Sequence, residues 1–220
     1  MRLSAVLLAR VIAFVEMNDL NPRGKIRLPV VAEMIVSRFG FAKYPQTAAE
    51  FDETKGVEFL EGSFDDIGVD KLTIWFNGVG LDVRSSTDDA KSILEKSFEW
   101  LKKEVGLNYA PDMVKRWAYL NQITFYSDAD FNAVHPALRN VSNKVTAAVS
   151  RIQGSDFAFS PNYLGWGFDR TIRQFPISDF SIQRRADTPF SENKYFSQAP
   201  LSTDEHLKIL AEFEADLLRK

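Results

Sequence analysis

Alternation of apolar and polar positions predicts a β-hairpin in the first half of the chain. Residues 71–76 and 79–84 carry apolar side chains at every second position, and Asn77 and Gly78 lie between them. Successive side chains of a strand point to opposite faces, so the alternation gives each strand one apolar face. Asn-Gly tolerates the positive φ angles of a tight two-residue turn. We therefore predict two antiparallel strands joined by a turn at Asn77 and Gly78.

Apolar residues that recur every three to four positions predict four helices. These helices cover residues 29–40, 85–106, 136–152 and a C-terminal stretch that begins near 202. Gly40 and Gly106 are placed to end the first two helices, and Ser202 with Glu205 matches a capping box at the start of the last. The third helix has an apolar stripe of Leu138, Val141, Val145, Val149 and Ile152. For the last helix we expect a buried face of Leu207, Leu210, Phe213 and Leu217.

The remaining extended segments complete an α+β pattern. Further strands are predicted at residues 3–17, 56–61, 115–126, 156–168 and 177–185. We predict a mostly antiparallel sheet with helices packed on one face. The order strand, helix, strands, helix occurs twice in outline, which predicts two similar halves. These halves are an N-terminal α+β half at residues 1–107 and a C-terminal α+β half at residues 108–220, expected to form one compact unit.

Composition adds exclusions to this pattern. The 220 residues are 45% hydrophobic and 26% charged, which is close to the average of soluble globular proteins. The absence of Cys excludes disulfides, thiolate metal sites and thiol nucleophiles. Neither His135 nor His206 has a second His three or four positions away, which disfavours a His-rich metal site. We expect His206, in a first helical turn after acidic residues, to be exposed.

Charge and hydropathy along the chain restrict its surroundings. Arg10 and Glu16 interrupt the apolar run near the first residue, and no stretch reaches 18 uninterrupted apolar residues. We therefore expect a soluble, cytoplasmic protein with no membrane partner. The formal net charge is −3, whereas a groove that neutralises many phosphates shows a basic excess, so nucleic acid is disfavoured as a partner.

The acidic segment, residues 50–70, holds eight Asp and Glu residues against one Lys. Asp65, Asp66 and Asp70 are candidates for attracting a basic partner surface. Alternatively, Asp52 and Glu53 together with Asp65 and Asp66 could hold Mg²⁺, because hard carboxylate oxygens suit a hard cation. A third interpretation is that these side chains only solvate a loop and an exposed sheet edge.

Aromatic and basic residues of the second half supply the other candidate contacts. Gly residues flank Trp166 on both sides, which could let a ligand or partner approach the indole closely, although Gly in a strand also marks a bulge. Tyr163, Trp166 and Phe168 are therefore candidate anchors, since aromatic residues dominate interface energies. Arg184 and Arg185 could fork onto carboxylates or phosphates.

The sequence lacks the common motifs of nucleotide-binding proteins and serine hydrolases, which makes an enzyme less expected. The chain has no glycine-rich nucleotide loop and no Gly-x-Ser-x-Gly elbow. The leading hypothesis is a non-catalytic adaptor, a subunit of a multicomponent assembly that works by protein binding to another protein or to itself and needs no cofactor. The alternative is a metal-dependent phosphodiesterase or nuclease that uses the carboxylates above, with Arg184 or Arg185 on the phosphate. A lesser alternative is a small-ligand sensor with a pocket between the halves.

Overall fold

Eight strands and five helices make up the part of the chain that the structure describes. This computed structural model describes residues 1–129, 134–171 and 177–219. The strands are β1 (Arg2–Phe14), β2 (Val57–Phe64), β3 (Ile67–Trp75), β4 (Gly78–Val83), β5 (Arg116–Tyr126), β6 (Tyr163–Trp166), β7 (Phe180–Arg184) and β8 (Lys194–Ala199). The helices are α1 (Met17–Leu20), α2 (Leu28–Phe39), α3 (Thr87–Val105), α4 (Pro136–Gln153) and α5 (Thr203–Leu218). The strands form one antiparallel sheet in the order β2-β3-β4-β1-β5-β8-β7-β6, so the predicted α+β fold is confirmed.

Backbone contacts divide the chain into two compact units, each of which is described by itself. The N-terminal unit comprises residues 6–121 and 200–203. The C-terminal unit comprises residues 1–5, 122–199 and 204–220. The division of the sequence into halves at residue 107 stays a prediction.

The core of the N-terminal unit lies on one face of β2, β3, β4 and β1. Strand pairing sets Phe59 opposite Leu72, Leu72 opposite Leu81, and Leu81 opposite Val11. The buried residues of α2 and α3 belong to the same apolar cluster. Burial of each large apolar side chain stabilises the fold by about 1.5–3 kcal/mol, and α2 and α3 supply the cover that this burial needs.

Glycines end the first two predicted helices as expected. Gly40 follows α2 with a φ of 63°, and Gly106 follows α3 with a φ of 72°. This left-handed conformation carries no penalty for a residue without a Cβ. At the start of α3, the Ser86 hydroxyl accepts a hydrogen bond of 3.0 Å from the Asp89 N–H, which satisfies one of the amide groups left open at a helix start.

The predicted hairpin is present, but its turn differs from the prediction. Trp75 pairs with Gly78, so the loop consists of Phe76 and Asn77, and Phe76 is exposed rather than on the buried face. Gly78 is not in the left-handed region. A Cβ at Gly78 would lie 2.8 Å from the Ala13 carbonyl oxygen. The glycine is therefore required by the close approach of a neighbouring backbone and not by turn geometry.

The tight turn with two positive φ angles lies instead between β2 and β3. Phe64 pairs with Ile67, and the two loop residues, Asp65 and Asp66, have φ angles of 47° and 67°. Asp tolerates this region better than most residues because its short polar side chain bonds locally. This turn gives the acidic pair a structural role that the sequence hypotheses did not include.

The C-terminal unit contains the strands β6, β7 and β8 of the sheet, together with α4 and α5. β6 pairs with β7 and β7 pairs with β8, and Ile182 and Tyr195 are fully buried in this sheet. The sequence prediction missed β8. Of the extended segment predicted at residues 156–168, only Tyr163–Trp166 forms a strand.

Helix α5 buries a different face from the one predicted. Its buried residues are Thr203, His206, Leu210 and Glu214, which recur at helical spacing although three of the four are polar. The expectation that His206 is exposed is therefore wrong. Of the four apolar residues predicted to be buried, only Leu210 is, and the other three are half-buried.

A buried hydrogen-bond network in the N-terminal unit joins residues far apart in sequence. The N–H of Thr87 donates to the Thr203 hydroxyl at 3.0 Å, and the N–H of Thr203 donates to the Thr87 hydroxyl at 2.8 Å. The Asn121 amide donates to the same Thr203 hydroxyl at 3.1 Å and to the Leu8 carbonyl at 3.4 Å. Because water does not reach these groups, each hydroxyl satisfies an amide that would otherwise be buried without a partner.

We expect Thr203→Val to destabilise the protein by about 1–3 kcal/mol, because it leaves the Thr87 N–H buried without its acceptor. Chemical denaturation of the wild type, both single valine variants and the double variant measures this loss. The effect of Thr87→Val with Thr203→Val should be smaller than the sum of the single effects, since the two hydroxyls serve one network. Additive effects would show that the two threonines act independently.

Candidate functional site

Helix α4 presents an unusually exposed apolar stripe. The structure describes all 18 residues of α4, and none of them is buried. The α4 stripe comprises Leu138, Val141, Val145 and Ile152, of which Val141 is 57% and Ile152 is 73% exposed. An amphipathic helix gains most of its stability from packing its apolar face. In this structure that face is open.

The ends of α4 are held by local hydrogen bonds. At its start, Nδ1 of His135 accepts from the Ala137 N–H at 3.1 Å, and at its end Gly154 has a φ of 67°. Neither α4 nor any other helix in the described part of the chain is long and apolar enough to span a membrane. Caps of this kind fix where the helix begins and ends, but they leave its apolar stripe uncovered.

The aromatic segment, defined as Phe157, Phe159, Tyr163, Trp166 and Phe168, follows α4 in the chain. The Phe157 N–H donates to the Ser150 hydroxyl at 3.0 Å, and the Phe159 N–H donates to the Thr146 hydroxyl at 2.9 Å. The later residue, Phe159, thus contacts the earlier position on the helix, which shows that the chain runs back along α4. All five aromatic side chains are exposed. The α4 stripe and the aromatic segment therefore contribute exposed apolar area to the same unit.

Trp166 is held in place by contacts with two other aromatic rings of its unit. Its ring meets the edge of Phe180 at 5.1 Å and that of Phe213 at 6.2 Å between centroids, while 46% of the residue stays exposed. Such edge contacts hold an aromatic ring in one orientation. Trp166 thus has one surface fixed against the unit and another open to solvent.

The glycines beside Trp166 have neighbours of their own. A Cβ at Gly165 would lie 2.7 Å from atoms of the Tyr163 side chain, and one at Gly167 would lie 3.4 Å from the Asp179 carboxylate. The close approach predicted at these glycines is therefore made by side chains of the same unit. The Tyr163 side chain, and not a ligand, occupies the space beside Gly165.

Positive charge accompanies the α4 stripe. Helix α4 carries Arg139, Lys144 and Arg151 and no acidic residue. Helical spacing puts all three basic residues outside the apolar stripe. This feature is hidden when charge is summed over long stretches of sequence, because acidic residues outside the helix cancel it. Counted over the helix alone, the same residues form a basic amphipathic helix.

Arg184 and Arg185 are engaged within their own unit. The Arg184 guanidinium lies 4.7 Å from the Phe190 ring centroid and 5.1 Å from that of Tyr195, and it donates to the Phe190 carbonyl at 3.0 Å. Arg185 pairs with Asp187 at 3.2 Å. Both interactions are local, and they give Arg184 a stacking role that charge counting does not reveal.

The acidic residues proposed for partner binding belong to the N-terminal unit and are paired there. Asp65 contacts Lys96 at 3.3 Å, and Asp70 contacts Arg84 at 2.7 Å. Both ion pairs are exposed, so each contributes about 1 kcal/mol or less to stability. They do lower the net negative potential that Asp65 and Asp70 would otherwise present to a basic partner.

The carboxylates named for a metal site have other surroundings. Asp52 accepts hydrogen bonds from the Thr54 hydroxyl at 2.6 Å and the Thr54 N–H at 3.0 Å, which hold the pKa of its carboxyl below the usual value. Glu53 lines an apolar cavity, and Asp65 and Asp66 form the turn described above. Within residues 1–129, 134–171 and 177–219, no group of three His, Asp or Glu side chains could hold a metal ion. The structure therefore does not bring these four carboxylates together as one group of metal ligands.

The apolar cavity has a volume of about 150 Å³ and lies inside the N-terminal unit. Side chains of α2, β3, β4 and α3 line it, together with residues around α1. The cavity is also partly open to solvent.

A Ser–His pair in the C-terminal unit resembles part of a catalytic site, but both residues are buried and no substrate could reach them from solvent. The Ser197 hydroxyl lies 2.7 Å from Nε2 of His206, and both residues are 0% exposed. The same hydroxyl donates to the Ser181 carbonyl at 2.7 Å. Since its proton points to that carbonyl, Nε2 of His206 must be the donor to Ser197. The imidazole therefore does not act as a base on this hydroxyl.

Glu214 adds a second buried titratable group to α5. Burial acts to raise the pKa of its carboxyl, but hydrogen bonds from the Met1 amino group, the Ser127 hydroxyl and the Asp128 N–H together hold the pKa below the usual value. Folding therefore favours a neutral His206 and an ionised Glu214 on one helix.

Comparison with known protein families found no family model that matches this chain. Comparison with curated proteins likewise found no matching relative.

Burial lowers the pKa of His206 from 6.5 to about 4 in the folded protein. Between these values the unfolded chain binds more protons than the folded one, so acid favours unfolding. We expect the contribution of His206 to stability to be complete above pH 6.5 and to fall by about 3 kcal/mol as the pH drops towards 4.

The measurement is the free energy of unfolding against pH for the wild type and for His206→Gln, whose side-chain amide can still donate towards Ser197 but does not titrate. The wild type should lose more stability than this variant over the window. Parallel curves for the two proteins would contradict a buried neutral histidine.

Proposed function

We propose that this protein is a non-catalytic interaction subunit that binds another protein through the α4 stripe and the aromatic segment. The observation that carries the proposal is an 18-residue amphipathic helix of which no residue is buried, all 18 being described. This retains the leading hypothesis from the sequence and its aromatic residues, and it puts α4 in the place of the acidic segment.

Hydrophobic burial supplies the driving force in this proposal. Contiguous exposed apolar side chains are uncommon on monomeric proteins and mark surfaces that meet a partner. Val141 and Ile152, each more than half exposed, would lose contact with water on binding. At about 25 cal/mol per Å² of apolar surface, the stripe alone could stabilise a complex by several kcal/mol before the costs of association are subtracted.

Aromatic anchoring adds specificity to this driving force. Trp and Tyr are enriched among the residues that carry most of the energy of an interface. Trp166 is held in one orientation by Phe180 and Phe213, so little side-chain freedom is lost when a partner covers its open surface. A pre-oriented anchor binds more tightly than a mobile one for that reason.

The positive charge of α4 indicates which kind of partner surface it would fit. A basic amphipathic helix fits an apolar groove whose rim is acidic, the arrangement of helix-in-groove recognition. Arg139, Lys144 and Arg151 would lie at the rim and the α4 stripe in the groove. A membrane surface rich in anionic lipid offers a related chemistry, and the experiment below separates the two.

We expect a photo-reactive residue at position 145 to cross-link α4 to a specific protein in the cells that make this chain. Affinity is then measured with the purified pair. Val141→Asp should weaken binding at least tenfold, because it sets an unpaired charge in an apolar contact. Asn143→Asp is the matched control, since it adds the same charge to the opposite face of α4 and should change affinity less than twofold.

Equal affinities of the two variants would contradict the proposal, as would binding of the wild type to phosphatidylserine vesicles without any protein cross-link. Circular dichroism and thermal melting of both variants should match the wild type. The substituted side chains are exposed, and such changes usually alter stability by less than about 0.5 kcal/mol.

A further inference from the structure

The cavity of the N-terminal unit has the features of a binding site for a small molecule. Its walls are mainly apolar and include Leu94, Phe98 and Leu101 of α3 and Leu72 and Ile74 of β3. It is partly open to solvent. Protein interiors are packed about as densely as organic crystals, with few voids larger than one water molecule, so a void of about 150 Å³ is a distinct feature of this core.

Cavity size restricts the ligand. Pockets for drug-sized molecules measure roughly 300–1,000 Å³, which is well above the volume here. An apolar cavity of about 150 Å³ in another protein stays dry and binds benzene. The volume therefore fits one six-membered ring or a short branched chain.

Polar groups on the wall restrict its chemistry further. The Asn21 amide donates to the Ile26 carbonyl at 2.7 Å, and the Ser97 hydroxyl donates to the Ile93 carbonyl at 2.7 Å. Both are thus used within the protein. Glu53 also lines the cavity, and its carboxylate forms no hydrogen bond or ion pair with the residues that the structure describes.

We propose that this cavity binds a small apolar amine in its cationic form, with the ring or branched chain among the apolar side chains and the ammonium group on the Glu53 carboxylate. A carboxylate at the edge of an apolar cavity favours a cation over a neutral or anionic group of the same shape. This site belongs to the N-terminal unit, whereas the residues proposed to contact a protein partner belong to the C-terminal unit.

Benzylamine, toluene and benzoate test this proposal on the full chain, because they share a ring and differ in charge. Calorimetry and the shift in melting temperature measure binding. We expect benzylamine to bind at least tenfold more tightly than toluene, and benzoate not to bind. Glu53→Gln should remove the preference for benzylamine and leave toluene binding unchanged. The matched control is Glu33→Gln, an exposed carboxylate of α2 outside the cavity wall, which should behave as the wild type does.

Ser97→Met tests the cavity itself. The longer apolar side chain should fill part of the void, raise the melting temperature and abolish binding of both benzylamine and toluene. A melting temperature at or above that of the wild type shows that the variant folds. Failure of wild-type protein to bind any of the probes would overturn the proposal, and so would equal affinity of the wild type and Glu53→Gln for benzylamine.

Discussion

Removal of one apolar sheet face from water is the constraint on which the N-terminal unit depends. Phe59, Leu72, Leu81 and Val11 stand in register across four strands, and a shift of one residue in any strand would turn its apolar set to the opposite face. Helices α2 and α3 must then lie where they cover this row. Left-handed glycines end both helices, and the close approach of the Ala13 carbonyl at Gly78 holds β1 and β4 together. The helices nevertheless leave a cavity between themselves and the sheet.

Periodicity in the sequence predicted the elements better than it predicted their surroundings. The spacing of apolar residues located α2, α3, α4 and the β3–β4 hairpin, because these patterns are local. The predicted position of the turn was wrong because the prediction used only the local preference of Asn-Gly for tight turns. Glycine is needed at position 78 because the Ala13 carbonyl of another strand lies close to it. His206 was assigned to the surface for a similar reason. A count of apolar residues cannot find a helix face on which a histidine and a glutamate are buried among hydrogen-bond partners.

The candidate sites show the same limit. Helical spacing located the α4 stripe, but whether another element covers a stripe is a property of the tertiary structure. The clustering of acidic residues predicted a binding surface. In the structure, Asp65 and Asp66 occupy the two left-handed positions of a turn, and Asp70 pairs with Arg84. A charge count over α4 alone was a second signal available from the sequence, because this helix holds three basic residues and no acidic one. Glu53 is the opposite case, because only the fold shows that this residue lines an apolar cavity.

The α4 stripe and the cavity of the N-terminal unit place different limits on what can cover or fill them. The cavity can be filled only by a molecule small enough to enter it or by a larger side chain on its wall, so its occupant is limited by volume. An exposed helical face has no such limit, and its occupant is determined by shape and charge over a wide area. Single substitutions should therefore act differently at the two places. At the cavity, one added methylene changes what fits, whereas on α4 one methylene matters little and one misplaced charge matters much.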